Sequence, residues 1–314
     1  MNPEVLSISQ DLVRPPPVLS LEPAVQVGLI AVLLLGMGAL VVGLFGKRNP
    51  EGRAPLWTTF LVELGVVSWV LVPAYLGGWY WVGAVAVTAV AVLWEADRAR
   101  AGWGSSTLPL LGLPLGMATV AAAVHPGAPG VLVPASLLAL PSLGLFLRPS
   151  RAMAWPPVGA LLGLGYPAFG LACLMALGLG EQGLLHVFIL FAITEIQDTV
   201  AMLSGKFWGE ALIFPRISPK KTRLGTVAGL AGAVATAMLA GTVLPDRPLW
   251  GTLVVGMAIG VAGLAGDLFA SAIKRKAGIK DFGRAVPTMG GVLDVYDSLL
   301  FAAPFYLILC WAGI

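Results

Sequence analysis

Ten apolar runs separated by short polar intervals set the pattern of this chain, at about 25–45, 56–76, 79–95, 107–123, 131–147, 157–179, 183–203, 224–244, 249–272 and 291–312. An α-helix needs about 20 apolar residues to cross the hydrocarbon core of a bilayer, so runs of this length predict membrane spans. The predicted fold is all-α, a polytopic transmembrane helix bundle of about ten spans, with nine as the alternative count. The interval R-P-S-R-A-M-A-W-P-P, residues 148–157, is the one marked change in composition. It divides the chain into an extramembrane segment over 1–24, an N-terminal transmembrane half over 25–155 and a C-terminal transmembrane half over 156–314. The catalytic chemistry is expected in the last of these.

Composition agrees with the pattern: 58% of residues are hydrophobic and 11% are charged, against about 25% charged in a soluble domain. Charge then orients the spans, because cytoplasmic loops are enriched in Lys and Arg. Seventeen of the 19 basic residues fall in alternate intervals, leaving Arg14 and Arg247 elsewhere. That alternation implies an even number of spans, both termini outside, in a cytoplasmic (inner) membrane. The net charge of +3 reflects this orientation; nucleic-acid binding is not implied, since no extramembrane stretch is long enough to present a basic surface. The first apolar run lacks the basic start of a secretory signal and is read as an uncleaved helix. Cys173 and Cys310 fall within spans, where small buried side chains are expected rather than a disulfide or a metal site.

Acidic residues inside spans cost free energy and ask for a function. They are concentrated in the second half, at Glu195, Asp198, Asp267, Asp294 and Asp297, with Glu63 the exception in the first. Asp198 is five residues from the end of its run, roughly 7 to 8 Å below the cytoplasmic boundary at 1.5 Å per residue. Asp267 lies at a similar depth, and Asp294 and Asp297 enter from the cytoplasmic side to roughly 5 to 9 Å. Three predicted helices thus present oxygen ligands at one level, which suits a hard cation such as Mg²⁺. Asp267, Ser271 and Lys274 share one helical face by spacing, as do Asp294, Asp297 and Ser298. Above them, Lys220, Lys221 and Arg223 precede a helix start, where free backbone amides also favour anions. Lys274, Arg275 and Lys280 add charge, and Gly290 and Gly291 permit close backbone approach to a ligand. His125 and His186 lie toward the opposite face, which excludes a Ser-His-Asp triad or a histidine-bound zinc at the acids.

The block from Ser271 to Ser298, S-A-I-K-R-K-A-G-I-K-D-F-G-R-A-V-P-T-M-G-G-V-L-D-V-Y-D-S, resembles the signature of the phosphatidate cytidylyltransferases, also called CDP-diacylglycerol synthases. Ser271, Lys274, Arg275, Lys280, Asp281, Pro287, Gly290, Gly291, Asp294, Asp297 and Ser298 match in register. D-T-V-A-M-L-S-G-K from Asp198 and S-P-K-K-T-R-L-G-T from Ser218 are similar to the family's other cytoplasmic elements. The resemblance covers about a third of the chain, Glu195 to Ser298. Three positions depart from it: Thr288 stands for a glycine, Met289 for a histidine and Val295 for an arginine.

The resemblance implies that CTP and phosphatidate give CDP-diacylglycerol and pyrophosphate, at a site facing the cytoplasm. It implies Asp267 and Asp294 as Mg²⁺ ligands and Asp297 as a further ligand or as an acid behind the ligands, a second cation being left open. Lys220, Lys221, Lys274, Arg275 and Lys280 would hold phosphates, and Asp198 would orient metal or nucleotide. The implied partners are CTP, phosphatidate or a related anionic lipid, and the surrounding membrane lipid; a homodimer is left open. A CTP-dependent polyprenol or phytol kinase is the nearest alternative, since Asp198 and K-T-R-L-G-T are similar to those enzymes as well. An ion-coupled transporter, with acids binding a coupling ion, is the alternative of another class.

Overall fold

The computed structural model describes residues 56–101, 118–125, 156–180, 182–215, 217–242 and 248–314. Among the described residues the fold is carried by seven long helices: α1 (Leu56–Leu76), α2 (Gly78–Ala101), α3 (Pro156–Leu179), α4 (Gly183–Trp208), α5 (Arg223–Gly241), α6 (Leu249–Lys276) and α7 (Val292–Trp311). Each corresponds to one of the apolar runs. Five of them, α2 and α4 to α7, are long and apolar enough to cross a membrane, and the protein is a polytopic membrane protein. The runs at 25–45 and 131–147 and most of that at 107–123 lie outside the described residues.

The described bundle is all-helical as expected, with one small addition in a loop. Between α4 and α5 the chain forms a small antiparallel hairpin, β1 (Leu212–Phe214) and β2 (Ser218–Thr222), with Leu212 opposite Thr222 and Phe214 opposite Ser218. Each strand is too short to show a period-two pattern, so the segment reads as loop in the sequence. The hairpin is closed at its base by the Arg223 N–H donating to Ala211 C=O at 2.8 Å. Thr222 then starts α5, its Oγ1 accepting from the Gly225 N–H at 3.1 Å. A threonine N-cap satisfies one of the amides that a helix start leaves without a partner.

α1 and α2 form an antiparallel pair that turns at Gly77, which adopts a φ of +66°, and Trp69 Nε1 donates to Thr88 Oγ1 at 2.9 Å across the pair. α2 packs on α3 through Trp81, fully buried, whose indole donates to Met175 C=O at 3.1 Å. The indole covers Gly178 so closely that a Cβ there would overlap it. α7 lies against α3, α6, α2 and α4, with α5 packed on α4 and α6. Apolar side chains such as Val87, Val90, Leu253, Val254, Met257 and Val261 remain exposed on the outer faces. In a bilayer these meet lipid chains, and association of the helices rests on close packing of small residues. At Gly266, for example, a Cβ would stand 2.9 Å from the Asp297 carbonyl oxygen. Close contact of α6 and α7 at this level brings the acids of both helices together.

Candidate active site

The site forms where α4, α6, α7 and β2 meet. Asp198 comes from α4, Lys221 from β2, Asp267, Ser271 and Lys274 from α6, and Asp294, Asp297 and Ser298 from α7. Lys221 makes an ion pair with Asp267, and Ser271 Oγ approaches Asp267 Oδ1 at 3.4 Å, a long contact. Ser298 joins the other two helices: its Oγ lies 3.2 Å from Asp198 Oδ2 and 3.3 Å from Asp297 Oδ1. Asp297 Oδ1 also accepts the Ser298 N–H at 2.7 Å.

Lys274 is the second cation of the cluster. Its Nζ is 2.7 Å from Asp294 Oδ1 and 3.9 Å from Asp297 Oδ2, and 5.3 Å from the centre of the Phe282 ring. Four carboxylates therefore face two ammonium groups. With all of them ionised the cluster carries a negative surplus of two charges, in a setting that screens charge poorly. Burial pulls the Lys221 ammonium down, but the Asp267, Asp198 and Asp297 carboxylates more than offset this, so its pKa lies above the ordinary lysine value.

Asp294, expected from the sequence as a metal ligand, is engaged by the chain itself in this structure. Oδ1 is paired with Lys274, and Oδ2 accepts the Phe282 N–H at 2.7 Å and the Gly291 N–H at 2.9 Å. It sits in the first turn of α7 and folds back over the helix start, where a carboxylate is favoured by the amides and the dipole. The spacing of Asp294, Asp297 and Ser298 conceals this, because a first-turn acid can reach backward to its own cap. Among the described residues no three His, Cys, Asp or Glu side chains are grouped to hold a metal ion. Mg²⁺ usually takes one or two carboxylates plus substrate phosphates and water. Asp267 and Asp297, which are less taken up by backbone amides than Asp294, would be the acids to hold such an ion.

Gly290 and Gly291 also serve the protein itself. Gly290, at a φ of +115°, packs under Asp281 and Asp294, and Gly291 packs against Glu95 and Gly283. Close backbone approach is indeed what these glycines allow, but to other parts of the chain. Lys220, Arg223, Arg275 and Lys280 are exposed around the site and do not enter the cluster. Arg275 donates to Ile279 C=O at 3.3 Å, and Lys280 lies 3.8 Å from the adjacent Asp281. His186 is bonded to Tyr306 at 3.0 Å, near the far end of α7 from the acids.

One functional residue escaped the sequence reading. Glu95 of α2, only 7% exposed, accepts the Val292 N–H at 3.0 Å and the Leu293 N–H at 2.8 Å with its two carboxylate oxygens. Glu95 and Asp294 together occupy the start of α7, so the amides there are filled by the protein's own carboxylates. The N-terminal half thus contributes directly to the site. The available signal was a glutamate at the very end of an apolar run, in W-E-A-D-R, which resembles an ordinary polar boundary.

The family model described as "Cytidylyltransferase family" matches residues 57–312, which takes in every residue named in the cluster. The chain belongs to the cytidylyltransferase family. Among curated proteins, a phosphatidate cytidylyltransferase of Aquifex aeolicus is 41% identical over 149 residues, 47% of this chain and 55% of that protein. A phosphatidate cytidylyltransferase of Brucella abortus is 36% identical over 151 residues, 48% of this chain and 54% of the other. The Escherichia coli protein named uncharacterized protein YnbB is 36% identical over 165 residues, 52% and 55% of the two chains. The chain spans about half the length of the curated relatives it matches. The resemblance read from the signature is thereby confirmed at the level of the family.

Proposed function

We propose that this cytidylyltransferase-family protein converts CTP and phosphatidate to CDP-diacylglycerol and pyrophosphate, in a cytoplasmic (inner) membrane and with Mg²⁺. The observation that carries the reading is the joining of Asp198, Asp267 and Asp297 from three helices with Lys221 and Lys274, at the end of the bundle capped by the basic hairpin. Relatives named phosphatidate cytidylyltransferase support the choice of lipid.

In this reaction a phosphate oxygen of phosphatidate bonds to the α-phosphorus of CTP, and the bond from that phosphorus to the bridging oxygen breaks as pyrophosphate departs. The attacking phosphate is already anionic, so a strong general base is not required. What the protein must supply is positioning and charge. The exposed Lys220 and Arg223 draw the triphosphate toward the hairpin. Lys221 and Lys274, held in place by acids, face the incoming phosphates. Mg²⁺ at Asp267 and Asp297 would neutralise the surplus carboxylate charge and the charge that develops on pyrophosphate.

The test is purified protein in phosphatidate-containing micelles with labelled CTP and Mg²⁺. Formation of CDP-lipid and pyrophosphate is the expected result. In micelles that also carry a polyprenol, CDP with a phosphorylated alcohol would establish the kinase instead, and ion flux into proteoliposomes without CTP turnover the transporter.

A further inference from the structure

Beneath the cluster lies a polar atom that the folded chain leaves unused. The Tyr166 hydroxyl on α3 is buried and has no hydrogen-bond partner among the described residues. Its ring is fixed edge-on to Phe269 at 4.9 Å between centroids and tilted against Phe301 at 6.2 Å. Those two rings flank the acids on their own helices, two residues beyond Asp267 and four beyond Asp297. The helices that bear these two rings are the ones that carry Asp267, Asp294 and Asp297.

Buried hydroxyls are nearly always bonded, and one left without a partner needs a reason. A carboxylate would be the obvious acceptor, yet each nearby acid is engaged elsewhere. Asp294 holds Lys274 and two backbone amides, Asp297 holds Ser298, and Asp267 holds Lys221 and Ser271. A phenol offers one neutral donor, and it suits an anionic oxygen that arrives from outside. Phosphate oxygens are the acceptors that Lys221 and Lys274 would admit beside it.

We propose that Tyr166 contacts substrate, its hydroxyl donating a hydrogen bond to a phosphate oxygen of the bound reactants. The proposal rests on the nucleotidyl-transfer reading given above. The phosphate belongs either to the lipid headgroup or to CTP, and the two are separated by the experiment.

Tyr166→Phe removes only the oxygen. Because that oxygen has no partner in the free protein, the variant's melting temperature should equal or exceed that of the wild type. Its kcat/KM should nevertheless fall tenfold or more when one substrate is varied, and that substrate owns the phosphate. Activity within twofold of wild type for both substrates would overturn the proposal. So would a lower melting temperature in step with lower activity, since the hydroxyl would then be structural. If the wild type makes no CDP-lipid, the reaction reading fails on its own, and the thermal shift on adding CTP or phosphatidate decides for Tyr166. A shift present in wild type and reduced in Tyr166→Phe supports the contact; equal shifts, or none in either protein, sink it.

Discussion

The Glu95 carboxylate accepts the Leu293 backbone N–H at 2.8 Å, joining positions 198 residues apart in the chain. A side chain from the N-terminal half thereby completes the cap of the helix that carries Asp294 and Asp297. Neither glutamine nor alanine can replace it in full. Alanine leaves two buried amides without acceptors, and glutamine turns an NH₂ toward one of them. Each unsatisfied group costs about 1 to 3 kcal/mol, so Glu95→Ala should melt well below the wild type, with Glu95→Gln between the two. Thermal unfolding in detergent measures this, and an unchanged melting temperature would show that the cap is dispensable.

Thr288 offers a test in the opposite direction. It adopts a φ of +69°, and the Met289 N–H bonds to Val286 C=O at 3.3 Å around Pro287. Proline followed by a residue with positive φ is the pattern of a type II turn, which favours glycine at the third position. A β-branched residue is strained there, by about 1 to 2 kcal/mol. The signature that this segment resembles has glycine at this place, and the backbone here keeps the shape that glycine suits. Thr288→Gly should raise the melting temperature, the gain being reduced by glycine's greater unfolded-state freedom. A drop on this substitution would mean that the threonine hydroxyl or methyl makes a contact worth more than the strain.

The differing jobs of the acids predict a split between metal dependence and stability. Asp267→Asn and Asp297→Asn should raise the Mg²⁺ concentration needed for half-maximal CTP turnover, by tenfold or more. Asp294→Asn keeps one carbonyl oxygen for the amides but takes from the Lys274 ammonium its nearest charge partner, leaving Asp297 at 3.9 Å. Its loss should appear as a lower melting temperature with little change in Mg²⁺ requirement. Magnesium titration of the three variants checks this, and an Mg²⁺ shift confined to Asp294→Asn would return that residue to the metal.

Much of this arrangement was legible in the sequence, for a physical reason. Placing Asp198, Asp267 and Asp297 inside apolar runs is costly enough that they stand out, and helical spacing fixes which of them share a face. What spacing cannot show is whether a side chain points outward to a ligand or back to its own backbone. Asp294, Gly290 and Gly291, expected beside a ligand, also build the start of α7, and that second use left no mark in the spacing. Glu95 stayed hidden because its partners are backbone amides, which leave no residue-type signal. The hairpin was invisible because two strands of three and five residues carry no usable periodicity.

Lys220 and Lys221 are neighbours in sequence with opposite surroundings, and they provide the last test. Alternation along β2 turns Lys221 inward to Asp267 and leaves Lys220 exposed. Removing Lys221 charge, as in Lys221→Met, leaves Asp267 unpaired among further carboxylates, so both stability and turnover should fall. Lys220→Met should leave stability unchanged and raise the KM for CTP severalfold, more at low ionic strength, because an exposed cation acts through a screened field. The raised pKa of Lys221 sets the pH window. Its folded value lies above the unfolded one, about 10.4, so its contribution is fully present below that pH and is lost only as pH rises through the folded value. Melting temperatures of wild type and Lys221→Met should therefore differ by a constant amount from pH 7 to about 10. A difference that vanishes between pH 7 and 9 would mean that Lys221 is not held protonated by these acids.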